Sequence, residues 1–314
     1  MHTTALKGVM PNTLIIGAQK CGTTAMYHFL KQHPEVFMSE EKEPHFFSFE
    51  NEEITFNGPR STRVSRYWNT RRTKLTDYLA LFSEVNSEKV IGEASPLYLY
   101  VPKSCHTIAR YIPNAKLIVI LRNPVDRAFS NFCHAVRNAH EPILDFEKAI
   151  NMEEKRTQKA WGSEWYYKQL GLYHDQLKRY LNLFPRNQIK VILFEELAKN
   201  PISTMQEVYS YLGVESTFQP TLANINPNTG VPRDTLINRI LQWMICQIPR
   251  DHRLSRGIRR LQPWSDYPVA SLSMRNKLVG YFREDILRLE TLIEKDLSSW
   301  LEVDAPIVGH ASGS

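Results

Sequence analysis

Residues Leu14–Tyr27 read LIIGAQKCGTTAMY. An apolar run, Leu14–Ile16, enters Gly17, a short polar turn and Gly22-Thr23-Thr24, after which Met26, Phe29 and Leu30 recur at helical spacing. That order predicts a strand, an anion-binding loop and a helix. Glycine lets backbone N–H groups approach a phosphate closely, and a helix N-terminus adds its dipole. The ATPase form of such a loop needs Lys directly after the second glycine, then Ser or Thr for magnesium. Here Thr23 takes the lysine's place, and the loop's one lysine, Lys20, lies two residues before Gly22.

Outward from this segment, apolar runs alternate with helical periodicity. Strands are expected at Glu35–Met38, Lys89–Ile91, Lys116–Leu121 (KLIVIL) and Ile189–Phe194 (IKVILF). Gly92 and Pro96 are expected to end the second of these. Helices are expected over Thr76–Phe82, Ser104–Tyr111, Val125–Val136, His174–Phe184, Thr204–Leu212 and Ile237–Ile248, with a closing helix from Ser273, its N-cap, to about Trp300. All-apolar strands covered on both faces are a mark of parallel sheets. The alternation predicts an α/β fold: a P-loop-type doubly wound parallel sheet flanked by helices, in a single domain over residues 1–303, with residues 304–314 a disordered tail. Ligands of such sheets bind beyond the carboxyl ends of the strands. Lys20, Glu43, Ser95 and Arg122 should therefore share one rim.

Composition agrees with a globular enzyme of 314 residues, 42% hydrophobic and 23% charged, with a formal net charge of +6. Excess positive charge suits a polyanionic ligand or only a solvated surface. Cys21, Cys105, Cys133 and Cys246 have no metal-ligand spacing and form no small disulfide framework, so free thiols in a cytoplasmic setting are expected. Cys21 has no adjacent His to activate it and fits a small residue filling a tight turn. No metal site, transmembrane segment or nucleic-acid motif is legible.

A second motif leaves the clearest strand. In Arg122-Asn-Pro-Val-Asp-Arg-Ala-Phe-Ser130, Arg122 follows the apolar run directly and Ser130 lies two helical turns on. A guanidinium fork with a hydroxyl can receive a second phosphate. The plain alternative is that Arg122 pairs with Asp126 or a neighbouring carboxylate and only pins the turn.

Together these residues resemble the sulfotransferases that use 3′-phosphoadenosine 5′-phosphosulfate. GAQKCGTT resembles their 5′-phosphosulfate loop and RNPVDRAFS their 3′-phosphate motif. HPEVFMSEEKEPHFF, GEASPLY, FEEL with Asn200-Pro201, and YSYLGV are similar to the heparan-sulfate-type branch. The likeness runs from Leu14 to Trp300. It implies a donor held by Lys20, Cys21, Gly22, Thr23 and Thr24 at one end and by Arg122 and Ser130 at the other, with adenosine 3′,5′-bisphosphate as product. It also implies a catalytic base at Glu43; His45, two residues on, is a second candidate, either assisting that base or contacting the acceptor. Lys20 is the cation suited to the leaving oxygen, and sulfuryl transfer then needs no metal.

The branch's donor-closing Lys-Gly loop has no clean match. Arg256, Arg259 and Arg260, beside Gly257 in the irregular stretch Arg250–Pro268, are expected to replace it as a lid. For the acceptor, a carbohydrate, glycolipid or small alcohol, the candidates are His45, Ser95, His134, Arg137 and Trp161, with Glu141 nearby and the aromatics Trp165, Tyr166 and Tyr167. Two other readings stay open: a P-loop nucleotide-dependent kinase or NTPase, and a non-enzymatic module binding polyanions through Arg250–Arg260.

Overall fold

The computed structural model describes residues 8–58, 72–222, 231–248, 257–258, 261–265 and 270–303. Chain order begins β1 (Thr13–Gly17), α1 (Thr23–Lys31), β2 (Val36–Met38), α2 (Phe46–Phe49), α3 (Leu75–Leu79), β3 (Val90–Ala94), α4 (Pro102–Tyr111) and β4 (Lys116–Leu121). It continues with α5 (Pro124–Arg137), α6 (Phe146–Asn151), α7 (Glu153–Gln158), α8 (Tyr173–Leu181), β5 (Ile189–Leu193), α9 (Phe194–Lys199) and α10 (Pro201–Leu212). β6 (Val231–Pro232), α11 (Leu236–Gln247), β7 (Trp264–Ser265) and α12 (Leu272–Ile293) complete it. The described residues group into two compact units, each drawn from several stretches of the chain.

The first unit, within 8–53, 72–122 and 175–222, holds the large sheet. Its strand order is β2-β3-β1-β4-β5, all parallel. The chain starts at the central strand, builds one edge and then returns past β1 to build the other, so β1 and β4 flank the switch point. Leu117 to Leu121 are all fully buried, each contributing about 1.5–3 kcal/mol relative to exposure. β3 departs from expectation by running through Gly92 to Ala94. A Cβ at Gly92 would sit 2.8 Å from Met38 Sδ, so glycine here admits the neighbouring strand's side chain. Glu93 is tolerated because tyrosine and serine hydroxyls surround it.

The second unit, within 54–58, 123–174, 231–248, 257–258, 261–265 and 270–303, is largely helical. Asn123 caps α5 by accepting from Val125 N at 2.9 Å. Asp126 is bonded to Arg275 of α12 at 2.6 Å, both buried. The buried stripe Leu278, Phe282, Ile286, Leu289 and Ile293 is as expected, but the helix is capped by Ser271, which accepts from Met274 N, and not by Ser273. It also ends at Ile293, where Glu294 turns left-handed (φ 55°). Leu297 is buried after that break, its N–H donated to Glu290 at 2.8 Å. The expected tail lies outside the described residues.

Candidate active site

The expected rim residues Lys20, Glu43, Ser95 and Arg122 all fall in the first unit, after the carboxyl ends of its strands. Between β1 and α1, Ala18 N donates to Ile120 O (2.7 Å) and Cys21 N to Ala18 O (3.2 Å), closing a tight turn. Gly22 is left-handed (φ 90°), and a Cβ there would lie 2.9 Å from Phe194 Cδ2, so the position is closed to side chains twice over. No side chain caps α1 at Gly22 and its first turn holds no acidic residue. The leading N–H groups of a helix have no partner within it, so an end of this kind can receive an anion. Cys21 is fully buried with Sγ 3.6 Å from Gln19 O. Its side chain fills the turn.

The loop after β2 carries the carboxylates. Glu40 pairs with Lys31 at 2.7 Å and Glu41 with Arg72 at 3.0 Å. Glu43 is held differently. Its N–H donates to Ala94 O at 3.0 Å, at the end of β3. Its carboxylate lies 3.4 Å from Lys42 Nζ and 3.5 Å from His45 Nε2, with the side chain 32% exposed. His45 is buried, its N–H donated to Ser95 Oγ at 3.1 Å. It therefore backs Glu43 and does not present itself to an acceptor.

Three of the seven described non-glycine residues with left-handed backbone are Lys20 (φ 69°), Glu43 (φ 61°) and His45 (φ 58°). Such conformations cost on the order of 1 kcal/mol each and persist where surrounding structure enforces them. Three of these positions are residues expected to carry the chemistry; the other four, Asn51, Ala139, Ala160 and Glu294, are not.

Ser95 is fully buried, donating to Glu93 Oε2 at 2.9 Å while accepting from His45. It was expected at the acceptor; the structure makes it a strut between β3 and the Glu43 loop. Lys42 was missed altogether. Its Nζ donates to Thr24 Oγ1 at 2.6 Å, tying the carboxylate loop to the first turn of α1. The signal was a lysine directly before the candidate base, hidden in the acidic run Glu40–Glu43.

Arg122 is 8% exposed, its guanidinium 4.6 Å from the Phe194 ring centroid. Stacking on an aromatic fixes the plane of the guanidinium fork. The carboxylate expected to pin it, Asp126, is bonded to Arg275. Glu196, in the acidic pair after β5, accepts from Leu193 N at 3.0 Å and caps α9, a structural role.

Glu93 is fully buried, and burial pushes its carboxyl up from the ordinary 4.5 to about 7, with the Glu43 charge adding to the rise. Hydroxyls of Tyr98, Ser95 and Tyr78 oppose the shift. Between those pH values the folded protein holds a proton that the unfolded chain has released. Stability therefore falls as pH rises through that window, and the loss, on the order of 3 kcal/mol, is complete above it. Glu93→Gln, neutral throughout, is expected to flatten this slope. Urea denaturation of both proteins at pH 5 and pH 8 checks it; parallel losses would assign the titration elsewhere.

The remaining candidates belong to the second unit. Ser130 lies on α5, and its part in binding rests on its spacing from Arg122. His134 is exposed, its Nε2 2.9 Å from Asn138 Nδ2, and Arg137 is half-buried. Trp161 is held at 4.9 Å from the Trp165 ring and 5.0 Å from the Arg156 guanidinium. Glu141 is corrected: it is fully buried, bidentate to Arg156 (2.6 and 2.8 Å) and bonded to Tyr167 Oη at 2.6 Å. It pins the core and lines no cleft. Arg256, Arg259 and Arg260, with most of Arg250–Pro268, lie outside the described residues.

A sequence profile of the Sulfotransferase family matches residues 11–220. The chain is 27% identical over 303 residues to the Homo sapiens bifunctional heparan sulfate N-deacetylase/N-sulfotransferase 3, covering 93% of this chain and 31% of that protein. The Mus musculus heparan sulfate glucosamine 3-O-sulfotransferase 3B1 is 27% identical over 223 residues, 71% of this chain and 51% of the relative. A sulfotransferase from Alicyclobacillus acidocaldarius, known from its crystal structure, matches at 34% identity and a TM-score of 0.73, with 94% of this chain and 100% of that one covered. The chain thus spans 31% of the length of the N-deacetylase/N-sulfotransferases it matches.

Proposed function

Because the chain belongs to the sulfotransferase family, we propose that it transfers a sulfuryl group from 3′-phosphoadenosine 5′-phosphosulfate to an acceptor hydroxyl by in-line displacement. The observation that carries this reading is the joining of Glu43 to the anion loop through Lys42 and Thr24. A carboxylate suited to take a hydroxyl proton is thereby fixed beside a helix end suited to a phosphosulfate. Glu43 acts as the base, positioned by His45 from behind. Lys20 offsets charge developing on the leaving oxygen, and Thr23 with Thr24 receives the 5′-phosphate through N–H groups and hydroxyls. Arg122, with Ser130, takes the 3′-phosphate. Side-chain cations supply the charge that a metal would, so the reaction needs none.

A carbohydrate or glycolipid is the proposed acceptor, supported by the heparan sulfate enzymes among the relatives; a small alcohol fits the same chemistry. Both units serve one domain in this reading, since neither is a contiguous piece of chain. Four buried cysteines and their spacing support a cytoplasmic setting. The kinase reading is disfavoured by Thr23 at the Walker lysine position.

Thermal-shift measurement with adenosine 3′,5′-bisphosphate against ATP with magnesium tests the donor class. The bisphosphate should stabilise the protein more, and Arg122→Ala should weaken it by about 1.5–3 kcal/mol, roughly 10- to 150-fold, while AMP binding changes little. Equal affinity of the parent protein for AMP and the bisphosphate would end the proposal.

A further inference from the structure

Glu93 stands near the end of β3, fully buried, and no step of the transfer uses it. Three hydroxyls meet its carboxyl. Ser95 Oγ donates to Oε2 at 2.9 Å, Tyr78 Oη to Oε1 at 3.3 Å, and Tyr98 Oη is bonded to the same group. Each of these three residues in turn holds one of three consecutive residues just beyond Glu43. Ser95 Oγ accepts from His45 N at 3.1 Å, and Tyr98 Oη accepts from Phe47 N at 3.4 Å. Between them the Tyr78 ring stacks on Phe46, with centroids 4.5 Å apart and planes 14° from parallel. The residue linking Glu93 to Ser95 completes the set, because Ala94 O accepts from Glu43 N at 3.0 Å.

We propose that Glu93 is a positioning residue for sulfuryl transfer: its carboxyl takes the protons of the Ser95 and Tyr98 hydroxyls, so that their oxygens can hold the loop that aims Glu43. The inference rests on the sulfotransferase reading with Glu43 as base. A serine or tyrosine hydroxyl has a single proton. An oxygen that receives a loop N–H must send that proton elsewhere, and in a buried place the receiver has to be built in. A carboxyl has lone pairs for all three donors, whereas an apolar side chain has none. The loop needs such support, since Glu43 and His45 are both left-handed, at φ 61° and 58°, conformations that persist only where the surroundings enforce them. Packing alone does not account for the residue. An apolar side chain would fill the same strand position without burying a carboxyl, a burden visible in the push of its pKa up to about 7.

Turnover, donor binding and amide exchange on the intact chain test this. Turnover is read as release of adenosine 3′,5′-bisphosphate from the sulfated donor, with desulfated heparan oligosaccharide as acceptor. Glu93→Leu should lower kcat at least about tenfold and leave affinity for the bisphosphate within about twofold, the split that marks a misplaced base. Ser95→Ala with Tyr98→Phe should lose about as much, and adding Glu93→Leu to that pair should cost little more, because the three act as one unit. Glu93→Gln, which still accepts through its amide oxygen, should recover part of the loss. Tyr209→Phe, which removes a buried bond to Phe29 O, is the control and should keep the parent kcat. Exchange of the His45 and Phe47 amides should quicken at least about tenfold in Glu93→Leu while that of α10 stays unchanged. Parent kcat in Glu93→Leu, losses that simply add, or unchanged exchange at His45 and Phe47 overturns this inference alone. A parent that does not bind the bisphosphate overturns the sulfotransferase reading and this inference with it.

Discussion

Glu43→Gln is expected to lower turnover by roughly 10²–10⁴ while leaving affinity for adenosine 3′,5′-bisphosphate nearly intact. Glutamine keeps the length and most hydrogen bonding of the side chain, so contacts to Lys42 and His45 can persist, but it cannot take a proton. The left-handed backbone at Glu43 (φ 61°) and the bond from its N–H to Ala94 belong to the main chain and survive the change. Loss of rate without loss of donor binding is the mark of a group engaged at the transition state. Glu40→Gln and Glu41→Gln are the controls, because Lys31 and Arg72 hold those carboxylates. Single-turnover rates with saturating donor separate the three variants. A larger loss at Glu40 or Glu41 would move the base.

Lys20→Met is expected to lower kcat/KM by about 10²–10³, the range for removing one preorganised charge stabiliser, and to weaken donor binding as well. Methionine preserves the aliphatic stem and asks no more of the left-handed backbone than lysine does. Lys42 makes this test discriminating. Its ammonium also stands at the anion loop, bonded to Thr24 and near Glu43, and either lysine can face the leaving phosphate. Lys42→Met should loosen the Glu43 loop, raising KM with a smaller change in turnover at saturation. If Lys42→Met costs more turnover than Lys20→Met, the leaving-group role belongs to Lys42 and Lys20 serves only binding.

The apolar runs of β1, β4 and β5, the stripe of α12 and the glycine turn before α1 were legible in the sequence because each is a local pattern. Strand periodicity, helix periodicity and glycine's backbone freedom act within a few residues. So was the rim on which Lys20, Glu43 and Arg122 stand, since strand-to-helix alternation leaves few topologies and puts their loops at one edge of the sheet. The two motifs expected to hold phosphates pointed to the sulfotransferase family, to which the chain belongs, for the same reason.

Choosing among neighbours took tertiary structure. Glu40, Glu41 and Glu43 are one acidic run in sequence; only the pairing of the first two with Lys31 and Arg72, and the inward turn at Glu43, tells them apart. Ser95 and Glu141 have the residue types of a binding site, yet they are buried struts, because Glu93, Arg156 and Tyr167 come to them from distant or opposite-facing positions. Lys42 gained a role only when the loop after β2 folded against the start of α1. The reversed polarity of α11, which buries Asn238 and Gln242 and exposes Leu236, Ile237, Ile240 and Trp243, was equally closed to pattern reading. A 3.6-residue period shows that a helix has an apolar side, and long-range contacts alone decide which side the fold buries.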